Sequence, residues 1–326
     1  MNRQVPNAPP SRFRTYLSAP NCKTYTVEED LSASLLITSL ALRIQAALVR
    51  RFIPQRKKDS RKGENGKVLV VGGSYMYHGA PTLSSLAALR CGVDLVYTAV
   101  PKVIANPVRA ISPNLIVIPM VDSKLTRGSA RKLLGQVPAD LDSATIGMGL
   151  SIADEEALKN LVQSLLSQNA RLSLDASALV GYILPFVSGK NVVLTPHAGE
   201  FKRMFGIAPP SALRDRTKLV EKFAKEHSVT ILLKGSTDVI SDGTKTYVNP
   251  KNLPAMTVGG TGDVLSGLVA AILAKNHRPL ESAVAASFVN GTAGRLSQKK
   301  NGLHIVATDL IEFIPSAMRP LDRVAK

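Results

Sequence analysis

The chain has 326 residues, enough for one large α/β domain or two smaller ones. Apolar residues make up 45% and charged residues 20%, with Gly 23 and Pro 20, which excludes a collagen-like, disordered or coiled-coil chain. Lys+Arg 41 against Asp+Glu 24 leaves a net charge of +17, so nucleic acid, a membrane surface and a phosphate-rich small ligand are the partner classes to weigh.

In chain order, residues 1–26 carry Pro6, Pro9, Pro10 and Pro20 among scattered arginines and read as a loose tail. Thr26 and Glu29 form a capping-box pattern for a helix over residues 27–52, which Pro54 would end. The most apolar stretch here, residues 31–49, is interrupted by Ser32, Ser34, Thr38, Ser39, Arg43 and Gln45, too polar for a membrane span. A basic loop, Arg56-Lys57-Lys58-Asp59-Ser60-Arg61-Lys62-Gly63, follows. Residues 1–66 hold 12 basic against 5 acidic side chains, so +7 of the +17 arises in this first fifth. The expected division is residues 1–55, a tail with one helix, and residues 56–326, the working domain. Cys22 and Cys91 alone make no disulfide framework and no metal clip, and fit a reducing cytoplasm.

From Lys67 on, short β-branched runs (68–71, 95–100, 115–120, 144–146, 172–174, 192–194 and 229–233) alternate with helical windows such as 83–91, 155–168 and 214–227. Such alternation predicts an α/β fold with a mostly parallel sheet covered on both faces. Runs 237–241 and 244–248 flank Asp242-Gly243 and predict a hairpin with a two-residue type I′ turn. Helices of small residues, 261–274 and 282–297, close the chain.

Ligands of such sheets sit at the carboxyl ends of the strands. Five sequences fall there. Gly72-Gly73-Ser74-Tyr75-Met76-Tyr77-His78-Gly79-Ala80-Pro81 reads either as a loop that lets a ligand approach the backbone or as an ordinary tight turn. Gly147-Met148-Gly149 has the same two readings. Asp175 ends a strand as a carboxylate facing a crevice or as an N-cap. In Leu194-Thr195-Pro196-His197-Ala198-Gly199-Glu200, the turn aims His197 at the sheet's edge. The heaviest signal is Thr257-Val258-Gly259-Gly260-Thr261-Gly262-Asp263: glycines opening a helix converge backbone N–H groups and the positive dipole end into an anion hole at Gly259, Gly260, Thr261 and Gly262. A carboxylate beside bound phosphate needs a task, and for Asp263 that is taking a proton from a hydroxyl that attacks phosphorus. Upstream, Lys234, Gly235, Ser236, Thr237 and Asp238 offer a cation and polar groups for a nucleotide.

In order and spacing, GGSYMYHGAP, TPHAGE, KGSTD and GGTGD resemble the ADP/ATP-dependent NAD(P)H-hydrate dehydratases of the ribokinase-like superfamily, over residues 56–317. GGTGD alone indicates the superfamily; TPHAGE with GGSxxxxGA is more specific. The resemblance implies a three-layer αβα fold and dehydration of the S epimer of NADHX or NADPHX. The added hydroxyl would be phosphorylated from ADP or ATP with Mg²⁺, and phosphate then eliminated. It implies that Ala80, Gly149, His197 and Asp263 contact the hydrated cofactor, with Asp263 as base. Lys234 to Asp238 and Gly262 would hold the adenine nucleotide, in a homo-oligomer. The chain departs from the pattern at Gly147-Met148-Gly149-Leu150-Ser151, where the family has GPGLG, and at Ser177, where it has a second Asp. A ribokinase-like kinase of a vitamin precursor, of hydroxymethylpyrimidine or hydroxyethylthiazole type, would share GGTGD but leave a stable phosphorylated product. Nucleic acid is the third reading, and aromatics at 5% with no Trp give it little to stack bases on.

Overall fold

The computed structural model describes residues 41–325. Along the chain the first elements are β1 (Leu42–Arg43), α1 (Ala46–Phe52), β2 (Arg56–Lys57), β3 (Lys67–Val71), α2 (Gly79–Arg90), β4 (Leu95–Pro101), α3 (Lys102–Ile111) and β5 (Ile116–Met120). Next come α4 (Arg127–Leu134), β6 (Ser143–Ile146), α5 (Glu155–Ser167), β7 (Arg171–Leu174), α6 (Leu184–Val187), β8 (Val192–Leu194), α7 (Ala198–Phe205) and α8 (Leu213–Glu226). The last are β9 (Thr230–Leu233), β10 (Thr237–Ser241), β11 (Thr246–Pro250), α9 (Thr261–Asn276), α10 (Pro279–Asn301), α11 (Ala307–Met318) and β12 (Val324–Ala325).

Ten strands form one sheet in the order β1-β11-β10-β9-β8-β7-β6-β3-β4-β5. The strands from β9 through β5 pair in parallel, and the β10–β11 hairpin adds the antiparallel part. Alternation along each strand assigns the two faces. Leu69, Val71, Ile146, Leu172 and Leu174 enter one apolar cluster with α4, α5, α7 and α8. Val68, Val70, Val193 and Leu232 enter another with α1, α2, α9, α10 and α11. The three-layer α/β expectation therefore holds, because each strand is apolar on both faces. No described helix is long and apolar enough to cross a membrane.

Helix α9 explains where the crevice lies. Every residue from Val264 to Ala274 is buried, so the helix is apolar all round and runs between the sheet and the outer helices. Hydroxyl pairs set its direction: Ser143 donates to the Ala270 carbonyl (2.7 Å) and Thr145 lies 2.6 Å from Ser266. Going up β6 means going toward the start of α9, so the N-terminus of this helix stands at the carboxyl ends of the strands. It also crosses α2 backbone to backbone: a Cβ on Gly267 would lie 2.0 Å from the Ser84 carbonyl oxygen. Gly267→Ala should therefore destabilise the fold by about 3 kcal/mol, measured as a lower denaturation midpoint.

Two expected elements differ. The part of the 27–52 helix within the described residues is replaced by β1 and a shorter α1 that starts after Gln45. Parallel pairing of Leu42 with Tyr247, and the Ile44 N–H to Val248 carbonyl bond (3.1 Å), give this segment edge-strand partners that its helical pattern did not foresee. Its end at Phe52, before Pro54, is as expected. The Thr26/Glu29 capping box lies outside the described residues. Val49 and Ile53 are buried in the same cluster as α9. The hairpin loop is longer than expected: Ser241 pairs with Thr246, leaving Asp242–Lys245 as a four-residue turn. Asp242 accepts from the Thr244 and Lys245 N–H groups (both 2.8 Å) and from the Thr244 hydroxyl, which stabilises that longer turn.

Candidate functional site

Strand order reverses between β3 and β6, since β4 and β5 continue on one side of β3 while β6 to β9 continue on the other. At this switch point the loops leaving the two strands part and open a crevice. The loop after β3 and the one after β6 are laced together: the Gly73 N–H donates to the Met148 carbonyl at 2.8 Å. Gly149 sits directly beneath the first loop, where a Cβ would lie 2.7 Å from the Tyr77 Cβ and 3.2 Å from that of Ala80. Ala80 and Gly149, far apart in sequence, are thus neighbours.

The start of α9 forms the crevice's second wall. Gly260 occupies the N-cap with φ +92°, a conformation costly for any residue with a side chain, and so turns the chain into the helix with its first N–H groups directed outward. No atom lies within 4 Å of where a Cβ on Gly259 would be, so the approach is open. Thr261 closes the turn, its hydroxyl donating to the Met256 carbonyl at 3.1 Å. The expected convergence of N–H groups at Gly259 to Gly262 therefore has a physical basis in a 16-residue helix. Asp263 is in the first turn, and its carbonyl accepts from the Ser84 hydroxyl at 2.7 Å. Because Ser84 and Ala80 are one turn apart on α2, Ala80 lies toward the same end.

Burial pushes the Asp263 carboxyl up to about 7; the Asp175 charge adds to this, Lys234 opposes it and Glu200 adds again. Those three side chains form a buried network. Lys234, which follows β9, donates to Asp175 at 2.8 Å and lies 3.5 Å from Glu200. Asp175 is only 2% exposed, not open to the crevice as expected, and also accepts from the Thr195 hydroxyl at 2.9 Å. Desolvation alone would pull the Lys234 ammonium down, but the two carboxylates hold it above its ordinary value. His197 caps α7: its Nδ1 accepts from the Gly199 and Glu200 N–H groups (3.0 and 3.2 Å), and Glu200 accepts from the His197 N–H at 2.8 Å. The His197 side chain is more than half exposed, with Nε2 3.4 Å from Glu200. Ser177, in place of a carboxylate, donates to the Gly147 carbonyl at 2.8 Å and so ties the β6 loop to the β7 loop.

Beside Asp263, a cavity of about 500 Å³ is lined by His197, Lys234, Gly235, Ser236, Lys251, Thr257, Thr261, Gly262 and Asn290, among others. That volume falls in the range of small-molecule and cofactor sites. Of the residues expected to hold the nucleotide, Thr237 and Asp238 do not line it, and of the expected anion hole only Thr261 and Gly262 do. Thr237 begins β10, and Asp238 is fully buried. The Asp238 carboxylate accepts from the Gly235 N–H (3.0 Å), the Ser287 hydroxyl (2.7 Å) and Lys251 (2.8 Å), which fixes the turn that does line the cavity. Lys251 and Asn290 escaped sequence reasoning, and Glu200 was read only as part of the turn that opens a helix. Hairpin register was the available signal for Lys251: the observed pairing of Thr237 with Pro250 places it opposite Ser236, whereas a two-residue turn would have placed Asn249 there. A larger cavity, about 760 Å³, opens at the other end of the strands among Arg56, Arg90, Asp142 and Lys275. It borders the C-terminal ends of α2 and α9, where Lys275 caps the Cys91 carbonyl at 2.8 Å, so the helix ends there present carbonyls and not N–H groups.

The family model described as NAD(P)H-hydrate dehydratase matches residues 68–316. Among curated proteins, the ADP-dependent (S)-NAD(P)H-hydrate dehydratase of Cenarchaeum symbiosum (strain A) is 64% identical over 276 residues, 85% of this chain and 96% of that one. The protein of the same description from Nitrosopumilus maritimus (strain SCM1) is 63% identical over 281 residues, covering 86% and 98%. Among solved structures, the ADP/ATP-dependent NAD(P)H-hydrate dehydratase of Bacillus subtilis, co-crystallised with ATP/Mg²⁺, superposes with a TM-score of 0.75 at 24% identity, over 87% of this chain and all of that one. A hydroxyethylthiazole kinase from Pyrococcus horikoshii OT3 is more distant, with a TM-score of 0.55 at 16% identity over 84% and 95%. A model match across three-quarters of the chain, with relatives above 60% identity, places this protein in the NAD(P)H-hydrate dehydratase family, on a ribokinase-like fold.

Proposed function

We propose that this protein is a nucleotide-dependent NAD(P)H-hydrate dehydratase, a carbon–oxygen lyase that returns the S epimer of NADHX or NADPHX to NADH or NADPH, with ADP as phosphoryl donor. The carrying observation is Asp263: a carboxyl pushed up to about 7, in the first turn of a helix whose glycine-lined start collects N–H donors. Its proton affinity is matched to neutral pH, so an appreciable fraction is ready to accept a proton from the substrate hydroxyl as that oxygen attacks phosphorus. The N–H groups of Gly259, Gly260, Thr261 and Gly262 stabilise the charge on the transferred group. Ala80, Gly149 and His197 line the hydrated cofactor, while Lys234, Gly235, Ser236 and Gly262 face the adenine nucleotide, with Thr237 and Asp238 shaping that turn from behind. Once phosphorylated, the oxygen leaves with the electrons of its C–O bond as phosphate; the adjacent carbon loses a proton and the ring double bond returns.

Among the described residues no three His, Cys, Asp or Glu side chains are grouped to hold a metal ion. Asp175 and Glu200 are engaged by Lys234. This donor set fits a Mg²⁺ held by nucleotide phosphate oxygens and water rather than by a protein cage. Bound there, Mg²⁺ would neutralise phosphate charge. The resemblance further implies a homo-oligomer, and two cysteines suit a reducing cytoplasm.

Purified protein given NADHX, Mg²⁺ and ADP should restore absorbance at 340 nm with release of AMP and phosphate in equal amounts. Running ATP alongside identifies the preferred donor. Accumulation of a stable phosphorylated product without the 340 nm signal would favour the vitamin-precursor kinase reading.

A further inference from the structure

Tyr75, Met76 and Tyr77 are 80%, 75% and 58% exposed, and nowhere else among the described residues do three consecutive large apolar side chains stand exposed. They lie at the strand-order switch point, on the loop between β3 and α2. Only Tyr77 is anchored to the crevice. Its N–H donates to the Ser74 carbonyl at 3.2 Å, which folds the loop back. Its Cβ and carbonyl stand 2.7 and 3.0 Å from where a Cβ on Gly149 would be, so no side chain fits there. Gly149 in turn touches Ala80, and one turn along α2 the Ser84 hydroxyl holds the Asp263 carbonyl. Through these contacts the Tyr77 Cβ stands at the same end of the crevice as Asp263, and its side chain is largely exposed there.

We propose that Tyr77 is a substrate-positioning residue whose ring forms the outer wall against the hydrated nicotinamide ring; this rests on the dehydratase reading. The hydrated ring keeps a flat conjugated stretch from its ring nitrogen to the carboxamide, and that surface is what an aromatic face covers well. With the hydrated ring lying on the face of Tyr77, beside its contact with Gly149 and not between the two, its hydroxyl is kept within reach of Asp263. Tyr75 and Met76 lack the anchor to Gly149 and are not part of the wall. The wall acts through the ring face and not through the phenol hydroxyl.

The experiment is steady-state kinetics of wild type, Tyr77→Ala, Tyr77→Phe and Tyr75→Ala with NADHX and ADP varied independently. Binding of NADH, followed through its fluorescence, and sedimentation are measured in parallel. Tyr77→Ala should raise KM for the hydrate by about tenfold, as loss of one stacking contact does, with little change in kcat or in KM for ADP. Tyr77→Phe and Tyr75→Ala should stay near wild type, and NADH binding should weaken in Tyr77→Ala alone. Unchanged KM for the hydrate in Tyr77→Ala, or equal rises for hydrate and ADP, overturns the proposal. A change in sedimentation of Tyr77→Ala also overturns it, since the ring would then act through a subunit contact. Wild-type protein that binds NADH but never turns over the hydrate overturns the dehydratase reading instead, and NADH binding alone then decides whether Tyr77 is a wall.

Discussion

Asp263→Asn should lower turnover by on the order of 10³-fold while nucleotide binding stays close to wild type. The amide keeps the size and shape of the carboxyl but cannot take a proton. For the wild type, a carboxyl at about 7 predicts that kcat/KM rises with pH through neutrality as the basic form is populated. The variant should lose that rise along with the rate. Stability gives a second, independent readout. A carboxyl raised from 3.8 to about 7 binds its proton more tightly in the folded than in the unfolded state. Between those two values the fold therefore loses stability as pH rises, by about 1.4 kcal/mol per unit and up to about 4 kcal/mol in all. The amide of Asp263→Asn does not titrate and has no such loss, so the variant should melt at a higher temperature than wild type at pH 8, with the gap narrowing toward pH 4. An enzyme that is slower but no more stable at pH 8 would mean that Asp263 is not held in a desolvated, like-charged place.

The sheet was legible because its strands carry apolar residues on both faces, a pattern only a covered parallel sheet satisfies; Val192–Leu194 came out at the expected bounds. The glycine-lined start of α9 was legible for a local reason: glycines before a helix of small residues define both the turn and the dipole end within seven residues. What stayed hidden depends on distance. Lys234 reads as a free cation for phosphate until the fold brings Asp175, 59 residues away, to within 2.8 Å. Asp175 reads as an exposed strand-end carboxylate until the same contact buries it. Segment 41–45 reads as helix because its edge-strand partner, Tyr247–Val248, is two hundred residues downstream. The net charge of +17 misled in the same way, since it counts ionisable groups without saying which are paired and buried. Lys234 and Lys251, the two lysines lining the candidate nucleotide cavity, both belong to ion pairs with buried aspartates.

Lys234→Met tests whether that buried pairing or the nucleotide is the main reason for a cation there. Removing the ammonium leaves Asp175 and Glu200, 2% and 7% exposed, without their shared counter-charge. Uncompensated buried carboxylates cost about 3–5 kcal/mol, which for a chain of this size is a fall in melting temperature of roughly 10 °C. Because the carboxylates hold the Lys234 proton above its ordinary value of 10.5, the ion pair stays intact up to that pH and fails only above it. Lys234 itself therefore adds no pH dependence between pH 7 and 9, and any growth of the deficit with pH in that range comes from Asp263, which holds its proton more tightly once the ammonium is gone. Lys234 is also the group that draws the Asp263 carboxyl down. In its absence the rise of kcat/KM should move to higher pH, a shift that mere loss of a phosphate contact would not produce. Adding Asp175→Asn to Lys234→Met should restore part of the stability and return the pH profile toward that of wild type, since it removes the largest charge acting on Asp263. A Lys234→Met enzyme that melts like wild type and differs only in KM for ADP would reverse the order, making the nucleotide the partner for which the cation is kept.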